Sequence, residues 1–125
     1  MVLVDTSVWA VHFREGDSHL MALLEKGEVT CHSFIIGELA CGNLRNRKEI
    51  LSLLEALPAA LMATHEEVVK FVEDHRLMGV GLGYIDVHLL ASALLTSAPL
   101  WTEDSSLRQA AAKLSIAHSR KIDSP

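Results

Sequence analysis

Short apolar runs alternate along this chain with longer stretches whose apolar residues recur at three- and four-residue intervals. The first run, Val2-Leu3-Val4, stops at Asp5-Thr6-Ser7, an acid and two hydroxyls that each suit a helix N-cap. It predicts a short buried strand over about residues 1–5 and a short helix behind it. A second helix is predicted from Asp17 or Ser18, with Leu20, Leu23 and Leu24 on one face and Gly27 at its end. Val29-Thr30-Cys31 reads as a second strand. Residues 33–42 read as a helix that is apolar nearly all round, with Glu38 inside it. Asn46 and Glu49 stand at capping-box spacing and open a helix that aligns Ile50, Leu53, Leu54 and Leu57 before Pro58 stops it.

Ala60-Leu61-Met62-Ala63 predicts a short third strand. Thr64 and Glu67 form another capping box, opening a helix with Val68, Phe71, Val72 and His75 at helical spacing; Gly79, Gly81 and Gly83 break it. Residues 84–96 read as a mostly apolar helix that carries Asp86. Pro99-Leu100-Trp101-Thr102 is the next strand, and Asp104 or Ser105 caps a helix with Leu107, Ala110, Ala111 and Leu114. Ser115-Ile116-Ala117 predicts a last strand before a polar tail. Strands alternating with helices predict an α/β fold with a mostly parallel sheet. The length, 125 residues, suits one domain spanning 1–125 around one core.

Composition narrows the class. Half of the residues are hydrophobic and only 22% are charged, which argues for a packed interior and against disorder. No apolar run approaches the roughly 18 residues of a membrane span, and the opening run is too short for a signal peptide. Cys31 and Cys41 lack metal or redox spacing and are expected to pack as small hydrophobes in a reducing cytoplasm. The histidines form neither HxxxH nor HExxH, so a zinc site is not expected. The net charge of −5 argues on its face against a nucleic-acid binder. Its distribution matters more: without four acids singled out below, 11 basic residues face 12 acidic ones.

Those four are Asp5, Glu38, Asp86 and Asp104. On a helix, Glu38 has Phe34, Ile35, Cys41 and Gly42 as neighbours, so its carboxylate is expected on a face that otherwise buries itself. Burying a lone charge costs several kcal/mol unless it is paired or holds a metal. Arg45 or Arg47 could supply a purely structural ion pair. Asp86 has Leu82, Gly83, Leu89 and Leu90 around it; alternatively it stabilises the helix dipole from the first turn. Asp5 and Asp104 each follow a strand, where capping the next helix is the ordinary role of an Asp. Together, however, two acids end strands on the side where α/β sheets bind ligands, and two more interrupt apolar helices. Mg²⁺ and Mn²⁺ seek such oxygens, and a cation stabilises a cluster of carboxylates that would otherwise repel one another. The chemistry this set fits is metal-assisted phosphodiester hydrolysis.

Competing readings fit less well. A haloacid-dehalogenase-type phosphatase needs a second Asp where this chain has Ser7, and a response-regulator receiver needs a late strand-end Lys, whereas Lys121 falls in the tail. The glycine run at 79–83 follows a helix, not a strand, so it is a poor phosphate cradle. Glu103 is expected to be solvated or peripheral, and His88 to be structural. Arg45, Arg47 and Lys48, three cations within four residues, are either a solvated helix start or a grip on the phosphates on either side of the scissile one. Arg14, Arg76 and the Arg120–Lys121 pair are further candidates for that surface.

Val4-Asp5-Thr6-Ser7, Gly37-Glu38-Leu39-Ala40-Cys41-Gly42, Asp86-Val87-His88-Leu89-Leu90-Ala91-Ser92-Ala93 and Leu100-Trp101-Thr102-Glu103-Asp104 resemble, in order, the motifs of PIN-domain nucleases, and more narrowly those of VapC-type toxins. The resemblance covers nearly the whole chain. It implies a single α/β/α domain with a central parallel sheet of about five strands, and a Mg²⁺- or Mn²⁺-dependent endoribonuclease with Asp5, Glu38, Asp86 and Asp104 as its metal-binding quartet. Ser7 would orient the quartet and Thr102 would support it. The family further implies a homodimer, with no membrane association, neutralised by a small antitoxin protein. The acidic net charge favours a structured RNA read by shape, tRNA being one candidate. The alternative is a non-catalytic PIN-like domain that binds a protein partner.

Overall fold

The computed structural model describes residues 1–119. Strand β1 (Val2–Val4) is followed by helices α1 (Thr6–Glu15) and α2 (Ser18–Glu25), strand β2 (Val29–Thr30), and helices α3 (Ser33–Ala40), α4 (Arg47–Ala56), α5 (His65–His75) and α6 (Tyr84–Thr96). Strand β3 (Leu100–Trp101) and helix α7 (Ser105–Lys113) complete the order. The sheet is parallel with β1 in the middle, in the order β2-β1-β3. Its central strand has no polar face: Leu3 and Val4 are wholly buried, as parallel strands covered on both sides require. Leu20, Ile35, Leu89, Leu90 and Leu107 of the helices are fully buried in the same core, as is Leu100 of β3.

Among the described residues the sheet has three strands, not the expected five. The outer two are reduced to single parallel bridges, Cys31 with Ala59 and Leu100 with Ala117. The reason is visible beyond each bridge. Leu61 N–H turns away to Thr96 Oγ1 (2.9 Å), and Leu61 and Met62 are exposed, so nothing drives residues 60–63 to continue the ladder. On the other edge, only Ile116 is buried in the stretch 115–117, where Leu100 N–H meets the Ile116 carbonyl (2.7 Å) and His118 N–H the Leu100 carbonyl (2.9 Å).

Local signals fared unevenly. Thr64 and Glu67 form the expected reciprocal capping box. Asn46 does not cap α4; it sits in the left-handed region (φ 51°), which Asn tolerates, and its side chain makes no cap bond. Helix α6 is buried from Val87 through Ala93, which accounts for its lack of an amphipathic pattern. Cys31 is buried, and burial pushes its thiol up to about 11; Cys41 is exposed, contrary to expectation, because α3 ends at Ala40 and the chain turns out. No helix among the described residues is long and apolar enough to cross a membrane. The Arg120–Lys121 pair lies outside the described residues.

His32, at the N-cap of α3, is 1% exposed. Its Nδ1 accepts from Phe34 N–H (2.9 Å) and its Nε2 lies 3.0 Å from Ser92 Oγ. Burial, with a smaller contribution from His88, holds it down to about 4 from an ordinary 6.5. The unfolded chain therefore takes up a proton that the folded chain refuses. The stability this group contributes is complete above pH 6.5 and is lost as pH falls toward 4. His32→Asn, which keeps an N-cap acceptor but does not titrate, should make the fall of the urea midpoint across that window shallower. An identical slope in the variant would contradict the assignment.

Candidate active site

Parallel pairing of β1 with β3 sets the site. Asp5 N–H bonds the Trp101 carbonyl (2.9 Å), so the residues just past both strands, Asp5 and Thr102, lie side by side at the carboxyl end of the sheet. Asp5 is buried (7% exposed) and does not cap α1 with its side chain. Instead Oδ2 accepts from Thr102 Oγ1 (2.8 Å) and from Ser7 Oγ (2.9 Å). Each hydroxyl has one proton, and both protons go to Asp5, so the 3.3 Å approach of Ser7 Oγ to Thr102 Oγ1 is a contact between acceptors. Their lone pairs are used too: Ser7 Oγ accepts from Glu103 N–H (3.0 Å) and Thr102 Oγ1 from Asp104 N–H (3.0 Å). The two hydroxyls thus tie the ends of β1 and β3 around one carboxylate.

The other three acids lie within α3, in the first turn of α6 and at the N-cap of α7. Glu38 Oε1 accepts from the hydroxyl of Thr6, the residue after Asp5, at 2.7 Å. Glu38 is exposed, not buried as its helical neighbours implied, because that side of α3 faces a cleft of ≈ 640 Å³. Asp86 is half-buried in the first turn of α6, where its Oδ2 accepts from Gly83 N–H (3.0 Å). Burial raises its pKa; the Gly83 bond works the other way, and the negative charges of Asp104 and Asp5 add to the rise. Asp104 is exposed and caps α7 through Oδ1, which accepts from Leu107 N–H (2.9 Å). Asp86 and Asp104 therefore do take the helix-start roles that the sequence left open, and Asp86 does so within electrostatic reach of Asp104 and Asp5.

No structural ion pair explains these acids. Among the described residues the salt bridges join Arg14 to Glu15, Lys70 to Asp74 and Arg108 to Glu103. The pairing of Glu38 with Arg45 or Arg47 is absent: Arg47 reaches the Gly42 carbonyl at 3.5 Å, and Arg45 and Arg14 line the Glu38 cleft without closing on the carboxylate. Arg47 and Lys48 are exposed outside the cleft lining. Glu103 does not add free charge beside the quartet, since its carboxylate is tied to Arg108 (3.4 Å) and to Trp101 Nε1 (3.3 Å). His88 is buried against Phe34 and Tyr84, and its Nδ1 has no hydrogen-bond partner among the described residues. Thr6 was not singled out in the sequence, where it read only as a possible cap. Its partner lies 32 residues on, and no local pattern reveals that.

By its chemistry, four carboxylates, the donor set suits a hard divalent cation. Among the described residues none of the four has a basic partner; Asp86 feels the charges of Asp104 and Asp5, and Glu38 meets the residue after Asp5 through Thr6. Each also has an oxygen that makes no hydrogen bond among the described residues: Asp5 Oδ1, Glu38 Oε2, Asp86 Oδ1 and Asp104 Oδ2. No three acids or histidines among the described residues already stand at metal-ligand spacing. Asp86 and Asp104 each place one carboxylate oxygen on a backbone N–H at a helix start.

A profile of the PIN domain matches residues 2–113. Ribonuclease VapC32 of Mycobacterium tuberculosis is 43% identical over 123 residues, covering 98% of this chain and 99% of its own. Among solved structures, PAE2754 from Pyrobaculum aerophilum superposes with a TM-score of 0.59 at 16% identity, covering 87% of this chain and 78% of its own. FitAcB from Neisseria gonorrhoeae gives 0.56 at 19% identity, covering 90% and 94%.

Proposed function

The chain belongs to the PIN-domain family, as a VapC-type member, and on that premise we propose that it is a Mg²⁺- or Mn²⁺-dependent endoribonuclease, the toxin of a toxin–antitoxin pair. The observation that carries the reading is a buried Asp5 held by two hydroxyls, with no basic side chain paired to it among the described residues and with its charge felt by Asp86. Asp5, Glu38, Asp86 and Asp104 would hold the ion through the oxygens left over from their protein hydrogen bonds. Bound there, a divalent ion activates water and neutralises charge on the attacked phosphate.

The protein's own residues supply positioning. Ser7 and Thr102 fix Asp5, and Thr6 fixes Glu38, so the adjacent hydroxyls of Thr6 and Ser7 help set two carboxylates from distant parts of the chain. Arg14 and Arg45, which line the Glu38 cleft, would take phosphates beside the scissile one, and exposed Arg47 and Lys48 at the start of α4 would add to that grip. With so few cations, affinity for a long regular phosphate backbone is modest. A folded target such as tRNA, read by shape in the cytoplasm, suits the site better.

Partner surfaces are in keeping with the rest of the family reading. An apolar groove of ≈ 280 Å³ between α1, α2 and α4, lined by Trp9, Phe13, Leu24, Ile50, Leu53 and Leu57, suits the apolar face of an antitoxin helix. Exposed Leu61, Met62, Leu94 and Leu95 supply apolar surface for a homodimer. The test is chemical: cleaved RNA should carry 5′-phosphate and 3′-hydroxyl ends, and chelation should stop cleavage. Recovery of 2′,3′-cyclic phosphates would point to histidine acid–base chemistry instead. Calorimetric titration with Mn²⁺ that yields no heat would favour the alternative, a non-catalytic PIN-like protein-interaction domain.

A further inference from the structure

Tyr84 opens α6 with its side chain largely in solvent (49% exposed) yet held on two sides. Its hydroxyl is 2.8 Å from His65 Nδ1 on α5. Its ring packs edge-on against His88 one turn along, with ring centres 4.6 Å apart at 79°. His88 in turn packs edge-on against Phe34 of α3 at 4.8 Å and 78°. His88 is 3% exposed, so this backing is core and not surface. The arrangement joins the two helices that carry the outlying acids. Asp86 is two residues past Tyr84 in the same turn, and Glu38 is one turn past Phe34.

An exposed apolar ring is ordinary on a protein surface, but such a ring is normally free to reorient. Here the rotamer is fixed by a hydrogen bond and a ring contact, so its ordering entropy is already lost before any ligand arrives. Resting on the ribonuclease reading above, we infer that Tyr84, pinned by His65, is a stacking platform for an unpaired nucleobase of the RNA next to the scissile phosphate. The chemistry is general: every base has a π-face, and an aromatic side chain stacks on it with little sequence preference. In a duplex those faces are hidden, so the platform selects loops and single strands. It also answers a difficulty of charge. In a chain with net charge −5 phosphate contacts are few, and stacking adds affinity that needs no cation.

The experiment uses full-length protein carrying Asp5→Asn to prevent cleavage. The probes are a 12-nucleotide single-stranded RNA of mixed sequence with 2-aminopurine at alternate positions, and its duplex with the complementary strand. Adding Tyr84→Ala should weaken single-strand binding by roughly fivefold to a hundredfold and remove the quenching of 2-aminopurine, while duplex binding is unchanged. Tyr84→Trp should keep both binding and quenching. Tyr84→Ala in the otherwise unaltered chain should still take up Mn²⁺ in calorimetry. Equal binding and quenching with and without Tyr84, or a Tyr84→Trp variant as weak as Tyr84→Ala, would overturn the platform and leave the nuclease reading standing if Mn²⁺ still binds. An otherwise unaltered chain that takes up neither this RNA nor Mn²⁺ would overturn both.

Discussion

Asp5→Asn is expected to leave the protein folded and to lower RNA cleavage by more than about a hundredfold. Groups that only orient metal ligands typically cost about 10- to 100-fold when removed, and Asp5 is read as a ligand itself. The fold survives because the amide oxygen of Asn can accept the same two hydroxyl protons, from Ser7 and Thr102, that Oδ2 accepts now. What disappears is a buried charge with no basic neighbour among the described residues. In chelator, therefore, the melting temperature of the variant should equal or exceed that of the parent. With Mn²⁺ the order should reverse: a ligand at a hundred times its Kd stabilises a folded protein by about 2.7 kcal/mol, and the variant should lose that gain. Undiminished cleavage by a rigorously purified variant would remove Asp5 from the site.

Thr102→Val is expected to cost both stability and activity, although the two side chains are nearly the same shape. Thr102 is 4% exposed and its hydroxyl has two partners, Asp5 Oδ2 as acceptor and Asp104 N–H as donor. A hydrogen bond to a charged group is worth about 1.5–3 kcal/mol, and leaving the Asp104 N–H without its partner adds to the loss. The urea midpoint should fall by a corresponding amount with an unchanged m-value. Because Asp5 and Asp104 lose their shared anchor together, cleavage should fall by about 10- to 100-fold. Thr102→Ser should restore both readouts. A Val variant with the parent's midpoint and rate would show that the hydroxyl positions nothing.

The order of strands and helices could be read from the chain because each boundary has a local cause. Asp17 accepts from Leu20 N–H, Thr64 and Glu67 cap reciprocally, and apolar stripes repeat at helical spacing. The sheet edges could not be read that way. Residues 60–63 and 115–117 have strand-like composition, but whether a ladder extends depends on what covers it, which is a tertiary matter. Asn46 shows the same limit in miniature: its spacing to Glu49 is that of a capping box, but its backbone is left-handed and the side chain cannot reach.

The site was legible in its residue types and not in its detail. Acids placed after strands and inside apolar helices announce themselves without any structure. Glu38 was singled out for the burial its neighbours implied, yet it lines an open cleft and is exposed. The hydroxyls were harder to read. Ser7 and Thr102 stand 95 residues apart and Thr6 lies 32 from Glu38, so their partnerships exist only once β1, β3 and α3 have come together. Tyr84 carried no signal beyond an aromatic at a helix start. Its meaning comes from His65 and His88, on α5 and one turn along α6.

The most direct test of the shared ion is anomalous diffraction at the manganese edge from crystals grown with Mn²⁺. One or two peaks bonded to Asp5 and to at least two of Glu38, Asp86 and Asp104 are predicted. Manganese found only on other surface carboxylates, with those four side chains undisturbed, would contradict it.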